Sequence, residues 1–308
     1  MNSFGHSFIL TTFGESHGTA VGGVVDGCPA GITLDFEAIA HALRRRRDGD
    51  CHDNKQTTSR KESDNIEWLS GLLDGVTLGT PIAFVIHNHD ANPADYEALR
   101  PLCRPGHADY TYEARYGLRD WRGGGRASGR ETAARVVGGA IALQVLKSSW
   151  PDMSLRATAD SQHCVACHID GIPAGIGNPL FDKLNARLAY AMMSIPSAIG
   201  FEMGLGFAGA TLDAQDWRDE WQIDASTATN HCGGVQGGIS NGMPITFRVA
   251  FHAPTTTPGK TTTCFNPATH TLHDIIPTGR HDSDHISRLP AIVEAMACLV
   301  LADMQKCK

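Results

Sequence analysis

Four short stretches of this chain combine histidine, arginine and glycine at spacings suited to moving a proton on or off an anionic ligand. The first is Thr11-Thr12-Phe13-Gly14-Glu15-Ser16-His17-Gly18. Its two glycines let the backbone turn sharply and present Ser16 and His17, and imidazole is the side chain that exchanges a proton near neutral pH. Gly14-x-Ser16-x-Gly18 also fits the nucleophile elbow of an α/β-hydrolase, but that elbow follows several parallel strands, and at most one short strand precedes Ser16. The second stretch, Arg104-Pro105-Gly106-His107-Ala108-Asp109, is a Pro-Gly turn that sets a guanidinium three residues from an imidazole. The third is Gly123-Gly124-Gly125-Arg126-Ala127-Ser128-Gly129-Arg130-Glu131-Thr132, followed by helical apolar spacing over residues 133–146. Ser128 and Glu131 are spaced as a capping box, so a glycine-rich loop with free N–H groups and two arginines opens the helix, an arrangement that cradles anions. The fourth, Gly279-Arg280-His281-Asp282, puts a cation and a carboxylate on one face of an extended segment. Gly233-Gly234-Val235-Gln236-Gly237-Gly238-Ile239-Ser240-Asn241-Gly242 offers bare backbone to a planar ring or a phosphate, and a tight hairpin explains it nearly as well.

Arginine usage agrees with an anionic ligand. Arg44 to Arg47 are consecutive, and Arg100, Arg104, Arg115, Arg119, Arg122, Arg126, Arg130 and Arg135 occur with no lysine among them. The guanidinium fork binds phosphate and carboxylate bidentately where an ammonium cannot, although Arg44 and Arg47 also suit a helix C-terminus. A formal net charge of -7 argues against general nucleic-acid binding. No stretch supplies the roughly 18 apolar residues of a membrane span, and residues 1–12 lack the basic and apolar regions of a secretory leader. The cytoplasm is the expected compartment, and the nine cysteines are expected to stay as thiols. Cys164-Val165-Ala166-Cys167-His168 has the spacing of haem attachment, which would require export, and its alternation is that of a strand; no metal site is expected.

These residues must be held by strands and helices that the pattern also shows. Residues 19–26, 65–70, 81–87, 163–170 and 244–251 are β-branched or apolar runs bounded by Gly, Pro or Asn, as strands are. Asp35 opens a helix that runs to the arginine cluster, a second follows Ser128, and a third begins near Pro290 and continues to about Met304. The third is apolar on most faces and belongs in a core. The expected fold is therefore α+β, with sheets packed around a helical layer. Gly125-Arg126 and Gly279-Arg280 each lead into an apolar helix, which fits a single domain of two pseudo-repeated halves joined by a connection near 148–162.

Taken in order, the four motifs resemble the chorismate synthase family. The match includes Val24-Val25-Asp26-Gly27-Cys28-Pro29 behind the first motif and Glu294-Ala295-Met296 behind the fourth, so it covers nearly the whole chain. The resemblance implies a β-α-β sandwich subunit in a homotetramer, binding reduced flavin mononucleotide (FMN). The implied reaction is elimination of phosphate from 5-enolpyruvylshikimate 3-phosphate to give chorismate, without net redox change. By the same resemblance His17, His107 and Asp282 are catalytic: His17 protonates the departing phosphate, His107 supplies a proton to the flavin, and Asp282 removes the ring proton near the flavin. Ser16, Arg46, Arg60, Arg104, Arg130 and Arg280 would bind substrate. Arg126, Ala127, Ser128, Pro196, Ser197, Gly237, Ala253, Pro254, Thr255, Thr256, Thr257 and Arg280 would contact the flavin. Pro196-Ser197 and Ala253 depart from what relatives carry there, and the segment between Ser148 and Gln162 is shorter. With no room for an attached flavin reductase, reduced flavin would come from an external source.

Overall fold

Alternating apolar residues in the first third of the chain form strands because one face of each can be buried. In a computed structural model, which describes residues 1–49, 62–90, 93–256, 259–276 and 285–305, these are β1 (Ser3–Phe4), β2 (Ile9–Phe13) and β3 (Ala20–Asp26). Helix α1 (Phe36–Asp48) follows, with the Asp35 carboxylate accepting from the Ala38 N–H at 2.9 Å. Then come β4 (Ile66–Trp68), the small hairpin β5 (Leu72–Leu73) and β6 (Val76–Thr77), and β7 (Ile82–His87). β1-β2-β3-β7-β4 form one antiparallel sheet. Helices α2 (Asp109–Tyr116) and α3 (Thr132–Ser149) complete this half.

The second half brings β8 (Ser154–Ala159), β9 (Cys164–Asp170), α4 (Leu184–Met193), β10 (Ala198–Met203) and the single turn α5 (Ala214–Trp217). It continues through the hairpin β11 (Val235–Gln236) and β12 (Ile239–Ser240), β13 (Ile245–Phe251), the hairpin β14 (Thr262–Asn266) and β15 (Thr271–Ile275), and α6 (Leu289–Gln305). β10-β13-β9-β8 form a second antiparallel sheet. The two halves share an order of elements: β2, β3, α1, β4, β7, α3 is matched by β8, β9, α4, β10, β13, α6, and the sheet orders β2-β3-β7-β4 and β8-β9-β13-β10 correspond.

Helices fill the space between the sheets. α3 lies on the first sheet, α4 and α6 on the second, α3 packs along α6 through the middle, and α1 packs against both of these central helices. This is the α+β sandwich expected from the pattern. Two consecutive glycines make the central contact possible: Gly138 lies against the Leu10 side chain of β2, and a Cβ at Gly139 would overlap the Cα and Cβ of Ala295 on α6. α6 is buried over nearly its whole length, and its two acidic residues are tied down. Glu294 pairs with Arg45 of α1 at 2.5 Å and accepts from the Ala157 N–H of β8. Asp303 accepts from the backbone N–H groups of His6, Ser7 and Phe8 and from Arg187 of α4 at 3.0 Å, anchoring the chain ahead of β2.

The stretch read as a plain connection near 148–162 holds a strand. β8 pairs with β9 from Ser154↔Asp170 to Ala159↔Val165. As an edge strand it turns Ser154, Arg156 and Thr158 to the outside, which hid the alternation behind polar residues. Cys164 and Cys167 stand three apart on β9, one half-buried and the other buried on the opposite face, so they do not converge on a common group. Among the described residues, no helix is long and apolar enough to cross a membrane.

Because α3 and α6 meet backbone to backbone at Gly139, Gly139→Val should force the helices apart and cost about 1–3 kcal/mol, read as a lower urea midpoint with an unchanged m-value.

Candidate active site

The third motif folds into a tight entry rather than a smooth helix start. Two 3-10 turns, Gly125–Ala127 and Gly129–Glu131, precede α3, and the Ser128 hydroxyl accepts from the Arg130 N–H at 3.3 Å. The reciprocal half of the expected capping box does not form. Glu131 is buried, and its oxygens go instead to the Thr12 hydroxyl at 2.7 Å, Arg135 at 2.9 Å and Arg126 at 3.7 Å, partners of higher electrostatic value than one backbone N–H. Arg126 also donates to the carbonyls of Gly14 and Thr12 and to the Thr12 hydroxyl, and the Ser16 N–H reaches the Gly125 carbonyl at 3.3 Å. The first and third motifs are thus laced into one unit at the end of β2.

In that unit His17 has defined neighbours. Its Nδ1 lies 3.1 Å from the Ser16 hydroxyl, and Ser16 is only 2% exposed. Gly123 sits in the left-handed region (φ +81°), and a Cβ there would stand 2.5 Å from His17 Nδ1, so both the conformation and the approach require glycine. On another side the His17 ring meets Tyr96, from the 3-10 turn Pro93–Leu99, at a centroid distance of 4.8 Å and an angle of 68°.

The same Tyr96 ring faces the guanidinium of Arg104 at 5.8 Å. Arg104 forks onto Asp109 with bonds of 2.8 and 3.0 Å and donates to the Gly123 carbonyl at 3.0 Å. Arg119 flanks the other side of Asp109 at 3.3 Å. Burial opposes ionisation of Asp109, but the hydrogen bond and charge of Arg104, with Arg119 behind, hold its carboxyl below the usual range. Near His17, burial likewise opposes ionisation of Asp120, and the Arg122 fork overcomes it, with the His17 charge adding a smaller pull. His107 lies at the outer edge of this turn. Its Nδ1 donates to the Pro105 carbonyl at 3.0 Å, and its Nε2 lies 3.4 Å from the Thr256 hydroxyl. Gly106 faces Thr255, where a Cβ would come within 3.0 Å of the methyl group.

Arg46 and Arg130 lie beneath the rim, 3% and 5% exposed. Both point at Asp64, whose backbone is left-handed (φ +52°): Arg130 NH1 bonds one carboxylate oxygen, and Arg46 NH1 stands 3.6 Å from the other. Arg46 also donates to the Gly129 carbonyl and the Thr132 hydroxyl, and Arg130 to Asn88 Oδ1. Asn88 in turn donates to the carbonyls of Glu15 and Gly18, holding the loop that bears His17.

Farther along the rim, the His252 N–H bonds the carbonyl of Ser197, which sits at φ +69° behind Pro196, and so brings Ala253 and Pro254 near that turn. The Ser197 hydroxyl meets His285 Nε2 at 3.2 Å. Ala127 is exposed and Ser128 half-buried. Gly237 is exposed in the β11–β12 hairpin, and no contact among the described residues joins it to this rim. Arg60, Thr257, Arg280 and Asp282 lie outside the described residues. The motif reading missed Tyr96, Asp64 and Asn88, and left Asp109 without a role. Asp109 closes the motif that begins at Arg104, whereas no local pattern marks the other three.

Asp109→Asn would leave Arg104 and Arg119 facing a neutral amide, so stability should fall by about 3–5 kcal/mol. The ionised Asp109 stabilises the fold above its ordinary pKa near 3.8, and that contribution fades as pH drops through its lower folded value. The acid limb of a stability-against-pH curve should therefore be shallower in the variant than in the parent.

Comparison with known proteins identifies the family. The sequence pattern of the chorismate synthase family matches residues 8–161 and 153–305, two pieces that meet over β8. A chorismate synthase of Christiangramia forsetii is 43% identical over 346 aligned positions that take in 98% of this chain and 96% of that protein. One from Synechococcus sp. is 43% identical, with 98% and 97% covered. A crystal structure of chorismate synthase superposes with a TM-score of 0.72 at 26% identity, covering 98% of this chain and 92% of that one. The chain belongs to the chorismate synthase family, the lyases of the shikimate pathway.

Proposed function

We propose that the chain eliminates phosphate from 5-enolpyruvylshikimate 3-phosphate to give chorismate, with reduced FMN required and recovered unchanged. The observation that carries this reading is the joining of His17, Gly123, Arg104 and His107 along one rim, a proton donor and an anion-binding guanidinium side by side.

The residues present fit a flavin. Gly106 and Gly123 keep backbone bare where a side chain would collide, and Thr255, Thr256 and Ser128 offer hydroxyls around them, with Arg126 beside the entry to α3. When bound, reduced flavin supplies electron density that assists phosphate loss. His17 protonates the leaving phosphate, with Ser16 engaging its Nδ1. Arg104 holds an anionic group of the substrate, because its NH1 carries no hydrogen bond among the described residues while Asp109 fixes the plane of the guanidinium. His107 donates a proton toward the flavin from Nε2, with Nδ1 committed to Pro105. Asp282 is assigned removal of the ring proton by the resemblance. So are substrate contacts of Ser16, Arg60 and Arg280 and flavin contacts of Ala127, Pro196, Ser197, Gly237, Ala253, Pro254 and Thr257. Arg46 and Arg130, engaged by Asp64, support the site from below in this reading and extend the positive field toward a substrate with three anionic groups.

The same proposal takes residues 1–308 as one domain of two pseudo-repeated halves joined near 148–162, supported by their matching order of elements. It also takes the active form as a cytoplasmic homotetramer served by an external source of reduced flavin.

The test is an anaerobic assay with 5-enolpyruvylshikimate 3-phosphate and dithionite-reduced FMN, following chorismate absorbance and phosphate release together. Equal appearance of both, dependent on reduced flavin, is expected; no product from a protein that binds flavin would overturn the reading. His17→Ala should lower kcat by about 10²–10⁴-fold while flavin affinity, read by titration, stays within about twofold.

A further inference from the structure

We infer that Tyr96 is a further positioning residue for the proposed elimination, one that fixes the His17 imidazole and the Arg104 guanidinium relative to each other; the inference rests on the reading of the site given above. Four contacts close a circuit. His17 meets the Tyr96 ring in an edge contact at 4.8 Å, and the other end of the circuit, Arg104, faces the same ring at 5.8 Å. Arg104 donates to the Gly123 carbonyl at 3.0 Å, and the Gly123 α-carbon closes on His17.

Three of the four members belong to the motifs that carry the chemistry. The fourth comes from the 3-10 turn Pro93–Leu99, which bears no motif. His17 and Arg104 also have polar partners of their own. Ser16 holds His17 through Nδ1, and Asp109 and the Gly123 carbonyl hold Arg104. The Tyr96 ring adds one wall common to both side chains, and edge contacts and cation–π contacts have definite geometry.

Tyr96 lies outside the hydrophobic core cluster. The ring, not the hydroxyl, makes both contacts, which separates two variants. Tyr96→Phe keeps the ring; Tyr96→Met keeps much of the volume and loses it.

The experiment uses the full chain labelled with ¹³C-histidine, the His17 resonance being assigned by its loss in His17→Asn. The Tyr96 ring current should displace the His17 Hε1 signal in the parent and in Tyr96→Phe, and the signal should move toward that of an exposed histidine in Tyr96→Met. In the anaerobic assay Tyr96→Phe should keep kcat within about twofold, whereas Tyr96→Met should lose about 10–100-fold in kcat, the scale of a catalytic group misplaced by an ångström. An unmoved His17 signal in Tyr96→Met, or equal loss of kcat in both variants, would overturn the inference. If the parent shows no elimination, the proposed function fails, and the resonance comparison still decides whether Tyr96 sets the imidazole.

Discussion

The carboxylates of Asp64 and Glu131 lie beside the first turn of α3 with four guanidiniums around them: Arg46 and Arg130 on Asp64, Arg126 and Arg135 on Glu131. Removing one partner of a buried ion pair costs about 3–5 kcal/mol, because the survivor keeps its desolvation penalty and loses its compensation. These contacts must therefore form together, and forming them places the C-terminal half of α1, the end of β2 and the glycine-rich loop in a single arrangement. The loop that bears His17 is held from below by this arrangement, through Arg126 and through the Asn88 link to Arg130. Most contacts that could reach a ligand depend on these buried charges, though the buried charges themselves face inward.

The helical layer makes such an arrangement rigid enough to use. Gly138 and Gly139 let α3 press against β2 on one side and α6 on the other, so the helix that begins at the site is fixed along its length by both halves of the molecule. Asp303 at the far end of α6 ties down the chain that leads into β2, and hence into the first motif. The rim itself is built of turns, where glycine permits close approach, while the scaffold beneath it is helix and sheet.

Much of this was legible in the residues. Strands over 81–87, 163–170 and 244–251 and the helices after Asp35 and near Pro290 appear within one or two residues of where apolar period and caps put them. β8 was not, because its inward positions carry only Leu155 and small alanines, a weak apolar signal behind the exposed Ser154, Arg156 and Thr158. α4 lacked a signal at its start: Lys183 stands at the N-cap with no side-chain bond. In the site, the glycines and histidines were legible because their chemistry is local. Tyr96, Asn88 and Asp64 were not, since each acts on residues distant in sequence and carries no motif of its own. The capping box was misread for a related reason. Glu131 has the right spacing, but tertiary partners with more charge claim it.

The measurement that tests the account most directly is a crystal structure of the protein with reduced FMN and 5-enolpyruvylshikimate 3-phosphate. The account predicts the substrate phosphate within hydrogen-bond reach of His17, an anionic group on Arg104, and the Arg46, Asp64 and Arg130 cluster intact below them. Ligands seated away from the Gly123 to Gly125 loop, or Asp64 displaced from both arginines while the site is occupied, would contradict it.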